Sequence, residues 1–430
     1  MLESVVLLIF TAALLGCILW KIPVLWALVF GLVLFSAYAL WKKHAPRALW
    51  GMILSGVKTV RHILITFLLI GMITAVWRAS GTVPFIVYHC AGFFAPRTVV
   101  LFTFLLCCGV STLTGTAFGT AATVGIICGA VAASMGISPV LWGGAVLAGS
   151  YFGDRCSPMS TSALLVAALT ETDIYRNIRL MVKTSLVPFV LSCGIYLLLG
   201  RGAGEGGSDV CGIFAKYFVL TPSLVIPAAV IVVFSLLKIP VKITMLVSIL
   251  AASVLALVVQ DVSLGTLLKW LLLGYEAQDA ALAALLNGGG ILSMKNGFFI
   301  VCLSSTYAGI FQGTGLLKGI QSHIRALSEK VTPYGSVFFT SALTALVSCN
   351  QTLATMLTHQ LCQSEVKEKE RMAVFLENTA VVMAPLVPWS VAGAVPLSSV
   401  GAPTKAILAA CYLYLLPLWA YAAVLFRKEK

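Results

Sequence analysis

A single aspartate, Asp154, stands between two long apolar runs, and Pro158 follows four residues later. An ionised carboxylate at the centre of a bilayer costs roughly 2.5–3.5 kcal/mol on insertion scales. A chain keeps one there when it is paired, protonated or bound to a cation. Pro158 lacks a backbone N–H, and in a helix its ring would strike the carbonyl of residue 154. A helix crossing this point breaks. A carboxylate and freed backbone carbonyls then lie together inside an apolar stretch, as an ion-binding site near mid-membrane requires.

That argument needs a membrane, and composition supplies it. Of 430 residues, 60% are hydrophobic and 10% charged, against about 25% charged in a soluble domain. The mean hydropathy is +1.02. A span takes about 20 apolar residues. Runs at 4–20, 22–41, 62–78, 97–112, 181–200, 218–237, 241–259, 297–311, 334–349 and 404–426 qualify. Two further apolar regions are interrupted: 117–170, at 136–139 and 153–160, and 372–400, at Pro385 and Pro388. The expected fold is an all-α polytopic membrane protein of about ten to twelve spans. Residues 1–20 have no basic start and no small-residue cleavage site, so they read as a first span.

The net charge of +13 does not point to nucleic acid. The basic residues gather at the ends of apolar runs: Lys42, Lys43, Arg47, Lys58 and Arg61; Arg176, Arg179 and Lys183; Arg427, Lys428 and Lys430. This is positive-inside patterning with contact to anionic lipid. It places the group after residue 41 in the cytoplasm. The short break Lys21-Ile-Pro23 then returns Met1 to the same side. The expected location is the plasma membrane, of the prokaryotic inner-membrane kind. The 12 cysteines and five histidines show no metal-ligand spacing, so no disulfide, metal or other cofactor is expected.

The glycine-dense stretch 200–209 reads as a flexible linker. It divides the chain into an N-terminal half (1–200), a linker (201–216) and a C-terminal half (217–430). Each half carries a hydroxyl- or amide-rich interruption followed by a proline-broken span. The first has Ser111-Thr-Leu-Thr-Gly-Thr116, then the break at 153–160. The second has Ser348-Cys-Asn-Gln-Thr352, then the break at 384–390. Two inverted repeats with re-entrant or broken helices give this pattern. Gly115-x-x-x-Gly119 also fits a simpler role in close helix packing. The segments 41–60 and 171–183 mix basic and apolar residues, as surface-lying amphipathic helices or polar loops would.

Among 15 acidic residues, only Asp154 and Glu377 fall inside apolar stretches. Na⁺ prefers hard oxygen ligands. Near Asp154 the candidates are Ser157, Ser160 and Thr161. From the second half come Asn350, Thr352, Glu377 and the adjacent Asn378. Thr114 and Thr116 lie in the first polar break, although threonine also bonds back to its own helix. A proton and Na⁺ would compete for the Asp154 carboxylate, and competition at one alternately exposed site gives exchange. A nucleophile–base pair or metal cluster is not seen, which argues against an enzyme.

At these motifs the chain resembles the NhaC sodium/proton antiporter family. The carrying residues are Ser80-Gly-Thr-Val-Pro84, Thr114 to Gly125, Gly149-Ser-Tyr-Phe-Gly-Asp-Arg-Cys-Ser-Pro-Met-Ser160, Ile178-Arg179 and Ala384-Pro-Leu-Val-Pro-Trp389. The resemblance implies an inverted-repeat secondary transporter. Its re-entrant tips would be at Thr114–Thr120 and Ser348–Thr352, facing unwound parts at 153–160 and 384–390. It also implies a homodimer that moves a transport domain against a scaffold. Thr161, Asn350 and Asn378 stand where the family pattern tends to have aspartate. Fewer acids hold cations more weakly and repel anions less. The expected function is therefore Na⁺/H⁺ antiport. The alternative is a Na⁺- or H⁺-coupled carrier of an organic solute, an amino acid or a carboxylate.

Overall fold

A computed structural model describes residues 2–20, 22–90, 95–200, 210–237, 239–279, 282–283, 286–316, 331–348 and 350–427. Most of the expected linker, 201–209, lies outside them. Among the described residues every regular element is helical, and Tyr275 and Gly288 form an isolated antiparallel bridge. The first half contains α1 (Leu2–Leu19), α2 (Val24–Trp41), α3 (Pro46–Ala79), α4 (Thr82–Cys90), α5 (Val99–Thr114), α6 (Ala117–Thr120), α7 (Ile126–Ser134), α8 (Pro139–Cys156), α9 (Thr161–Thr170) and α10 (Ile174–Gly200). After α11 (Val210–Tyr217) come α12 (Ile226–Leu236), α13 (Val241–Val258), α14 (Leu264–Leu273) and α15 (Lys295–Thr314). The chain ends with α16 (Pro333–Ser348), α17 (Gln351–Cys362), α18 (Lys369–Asn378), α19 (Ala380–Met383), α20 (Val391–Val400) and α21 (Cys411–Arg427).

The burial pattern reverses that of a soluble protein. Leu8, Leu186, Leu250 and Val258 are exposed, whereas Asp154, Arg155, Glu377 and Asn378 are buried. On α13 the exposed residues Leu246, Leu250, Val254 and Val258 recur every fourth position, and Met245, Ile249, Ala252 and Ala256 face inward. Residues four apart share a helix face, so α13 turns a purely apolar stripe outward. With no water to satisfy it, backbone in hydrocarbon must bond within the chain, as a helix does along its whole length. The chain is an integral membrane protein by this pattern.

Two helices, 117–134 and Ile174–Gly200, have the length and apolarity to cross a bilayer unaided. Two bent pairs do so jointly: Leu64–Ala79 with Thr82–His89, bent by 65°, and Lys369–Leu386 with Val391–Val400, bent by 56°. The other apolar helices are shorter. The two helices and two bent pairs are those among the described residues that qualify by length and apolarity. The segments 41–60 and 171–183 differ from expectation. From Pro46 the first runs unbroken into α3, and from Ile174 the second runs into α10. Neither meets an internal breaker at the point where its composition changes. The run 404–426 is instead divided, into a 3₁₀ turn at Thr404–Ala409 and α21.

The long α3 packs against α2, α13, α14 and α15. Phe10, Phe35, Tyr307 and Phe311 join α1, α2 and α15 edge to face, at 4.7–5.3 Å between ring centroids. Such pairs contribute about 0.5–1.5 kcal/mol each beyond their burial. A second group, α5, α8, α10 and α21, surrounds the acidic site.

Candidate functional site

Asp154 owes its place to two glycines one helical turn apart. A side chain on Gly149 would come within 2.5 Å of the Phe104 carbonyl oxygen, and one on Gly153 would strike the backbone of Ser111 and Thr112. Bare backbone at both lets α8 lie directly on α5, where Ser111 Oγ donates to the Ser150 carbonyl. The small-residue contact is thus Gly149–Gly153. Of the expected pair Gly115–Gly119, Gly115 ends α5 at φ +67°, a conformation glycine adopts freely, and lies against the Met159–Ser160 backbone, which a side chain would approach within 2.5 Å.

Beyond Gly115, Thr116 accepts a hydrogen bond from the Gly119 N–H and starts a new helix. This helix runs through a π turn at Ala121–Gly125 into α7. Its first residue, Ala117, presents its backbone towards Asp154. The positive end of the helix dipole therefore faces the carboxylate. α8 stays helical through Asp154 to Cys156, so the break expected at 153–160 is confined to 157–160. Ser157 is extended, at φ −100° and ψ 134°, the conformation a residue before proline prefers.

Around Asp154 the structure gathers donors from both halves. Ser160 Oγ lies 3.0 Å from Oδ1, and Ser162 Oγ 2.7 Å from Oδ2. Gln351 Nε2 reaches Oδ2 at 3.4 Å and the Val381 carbonyl at 3.2 Å. Ser160 also caps α9. Among the described residues no cation pairs with Asp154. Its neighbour Arg155 points elsewhere, as adjacent residues on a helix must.

Arg155 is fully buried and saturated. Its Nε donates to the Glu377 carbonyl at 3.2 Å, and Nη1 to the Met181 carbonyl at 3.2 Å. Nη2 donates to Thr184 Oγ1 at 3.0 Å and to Asn378 Oδ1. The Tyr412 hydroxyl lies 3.4 Å from Nη1. The Glu377 carboxylate is buried beside this group, and neither of its oxygens has a hydrogen-bond partner among the described residues. Its field partners are Arg155 and Asp154. Two carboxylates and one guanidinium thus share one enclosed region, with a net charge of −1 when all three are ionised.

Four helix starts surround this region, each capped by a polar side chain: Thr116, Ser160, Asn350 and Ser390. Asn350 accepts from the N–H groups of Thr352 and Leu353. Ser390 caps α20 after Pro385, in a 3₁₀ turn, and Pro388, which follows an extended Val387.

The expected residues divide accordingly. Asp154 and Ser160 touch, Glu377 and Asn378 meet them through Arg155, and Thr116 and Asn350 form helix starts. Thr114 bonds only to Thr120, at 3.3 Å. Two candidates, Thr161 and Thr352, are exposed. Ser157 is buried and accepts from the Met159 N–H. For both threonines the helix begun by the neighbouring cap, Ser160 or Asn350, rotates the following side chain outward. Ser162, Gln351, Arg155 and Thr184 were not among the candidates. Ser162 had a readable signal, since Ser160-Thr-Ser162 puts a second hydroxyl two residues after a cap.

The sequence profile of the Na⁺/H⁺ antiporter family matches residues 1–168 and 149–427. Curated relatives share about a quarter of their residues with the chain over most of its length. The Na⁺/H⁺ antiporter NhaC of Alkalihalophilus pseudofirmus is 26% identical over 387 residues, 84% of this chain and 82% of the relative. The malate-2H⁺/Na⁺-lactate antiporter of Bacillus subtilis is 25% identical over 363 residues, 81% and 77% of the two chains. The Na⁺/H⁺ antiporter NhaC of Bacillus subtilis is 26% identical over 410 residues, 91% and 90%. With its helical, outwardly apolar fold and its buried carboxylates, the chain belongs to the Na⁺/H⁺ antiporter family.

Proposed function

We propose that the protein exchanges Na⁺ for H⁺ across the plasma membrane by alternating access, with Asp154 as the shared carboxylate. One observation carries this reading: two buried carboxylates share one buried guanidinium, and the remaining negative charge is what a single Na⁺ or H⁺ cancels. Ser160 and Ser162 hold Asp154 by donating to it. A hydroxyl has lone pairs as well as a proton, so both can turn to offer oxygen to a cation. Carbonyls freed at the 157–160 break add hard ligands. A proton on the carboxylate removes the charge that attracts Na⁺, so the two occupants exclude each other.

The matching breaks and caps of the two halves support inverted repeats whose relative motion exposes the site to each side in turn. The basic residues Lys42, Lys43 and Arg47 support a cytoplasmic α2–α3 connection and N-terminus.

The test is reconstitution into tight liposomes containing a lumenal pH indicator. Addition of Na⁺ alone moves protons in wild type and fails to do so in Asp154→Asn. Proton movement that appears only when an organic acid is also added would replace this reading with that of a solute carrier. Full activity in folded Asp154→Asn would remove Asp154 from the exchange site.

A further inference from the structure

A second polar region lies away from the acidic pair. It is a cavity of about 620 Å³ where α3 bends into α4, bordered by the C-terminal ends of α7 and α20. Neither Asp154 nor Glu377 lines it. Arg78 is the one ionisable residue among the described residues that does. Arg78 is enclosed by protein on most sides and keeps partial exposure, as a side chain in a cavity wall does. Its guanidinium makes no hydrogen bond and no ion pair among the described residues. Charged side chains inside membrane proteins normally pair or face a pathway.

One side of the guanidinium is closed by bare backbone. Gly288, Gly289 and Gly290 have φ values of 120°, 77° and 79°. A side chain on Gly289 would come within 2.9 Å of Arg78 Nη1 and 2.7 Å of the Ala75 nitrogen. The Gly290 N–H donates to the Gly71 carbonyl at 2.8 Å, which pins this crossing to α3. Trp142 lines the same cavity, and its buried indole N–H has no acceptor among the described residues. Val83, Val87, Phe214 and Ile300 supply apolar wall. Water filling the space would solvate the guanidinium but gain nothing from that wall.

We propose that this cavity binds a small organic carboxylate, with the anionic group on Arg78 and the apolar body against Val83, Val87, Phe214 and Ile300. Three features select this class. An unpaired cation without a neighbouring acid admits an anion and rejects Na⁺. A guanidinium presents a planar fork that matches a carboxylate in two parallel hydrogen bonds. A volume of several hundred Å³ with a wall of mixed polar and apolar side chains suits an organic body rather than a bare halide. The site is separate from the acidic pair, and the inference does not depend on Na⁺/H⁺ exchange.

Binding to the purified full-length protein in detergent, without any ion gradient, tests this. Equilibrium dialysis with labelled butyrate and benzoate is run against chloride at equal ionic strength and against neutral benzamide. Saturable binding of at least one carboxylate is expected, with a matching rise in the unfolding temperature. Arg78→Gln should weaken it about 10- to 100-fold, as loss of a charged hydrogen-bond partner does. Ligand-free Arg78→Gln should unfold no earlier than wild type, because the arginine has no partner to lose. Ala130→Leu, which fills the cavity and leaves the charge, should weaken binding too, and it serves if the arginine variant fails to fold. Absence of saturable binding of both acids to folded protein would overturn the proposal. So would equal binding of benzamide, displacement by equimolar chloride, or undiminished binding in both variants.

Discussion

Arg155 and Arg78 lie in two regions that treat a buried positive charge in opposite ways. Arg155 is closed in by α8, α10, α18 and α21 and uses every nitrogen, with two backbone carbonyls, Thr184 and Asn378 as acceptors. Arg78 lines a cavity and has no acceptor among the described residues. Burying a charge is unfavourable unless it is paired and hydrogen-bonded. The first region meets that requirement from within the chain. The second leaves it open, and an open requirement beside open space is how a protein reserves room for something else. The same contrast holds for the acids: Asp154 is ringed by donors, and Glu377 relies on a field rather than a bond.

The contrast can be broken experimentally. The largest effect is expected for Asp154→Asn, which should reduce Na⁺-driven proton flux to that of empty liposomes while the purified protein keeps its unfolding temperature. Activity near wild type would mean that the donor ring is only structural. Next is the pair of arginines. Arg155→Gln should destabilise by about 3–5 kcal/mol, since removal of one partner of a buried pair strands the other. Arg78→Gln should not destabilise at all. Denaturant unfolding in detergent compares them directly, and equal losses would erase the distinction between the two regions.

Smaller effects should follow at the helix starts. Thr116→Ala and Asn350→Ala should each lower stability by about 1 kcal/mol, the usual value of an N-cap. If the caps also position the site, flux should fall more steeply than stability. The smallest effect belongs to the exposed pair Glu171–Lys369. The hydrogen bond from Lys369 holds the Glu171 carboxyl below its ordinary range. Its stabilisation is therefore present above the unfolded pKa of about 4.3 and lost as pH falls through the lower folded value. Glu171→Gln should remove that acid-side dependence and, at neutral pH and physiological salt, change the unfolding temperature barely measurably.

Much of this was legible in the sequence because it is local. Pro158 forces an extended Ser157, and Ser160 then caps the next helix, all within a few residues. Glu377 was visible as an acid in an apolar run. The arginines were not. Arg155 sits beside Asp154 in sequence, yet its partners are Glu377, Asn378, Met181, Thr184 and Tyr412, and only folding brings them together. Arg78 immediately precedes the Ala79–Ser80 end of α3, where a basic residue reads as ordinary span-end charge. Its meaning depends on the glycines at 288–290, about two hundred residues away. Thr161 misled for a complementary reason: the hydroxyl is near Asp154 along the chain, but the helix that Ser160 initiates carries it outward.

The reach of Arg155 has a consequence in time. Asp154 finds Ser160 and Ser162 within eight residues, so its two hydroxyl donors are made almost as soon as it is. Arg155 waits for Glu377 and Asn378, 222 and 223 residues later. At about 5–20 residues per second, that is an interval of about 10–45 s during which the guanidinium sits in a half-built protein with Met181 and Thr184 but without its acceptors on α18. The N-terminal half is therefore electrostatically unfinished until α18 arrives, and a chain stopped before Glu377 should be recognised by the cell as incomplete and degraded.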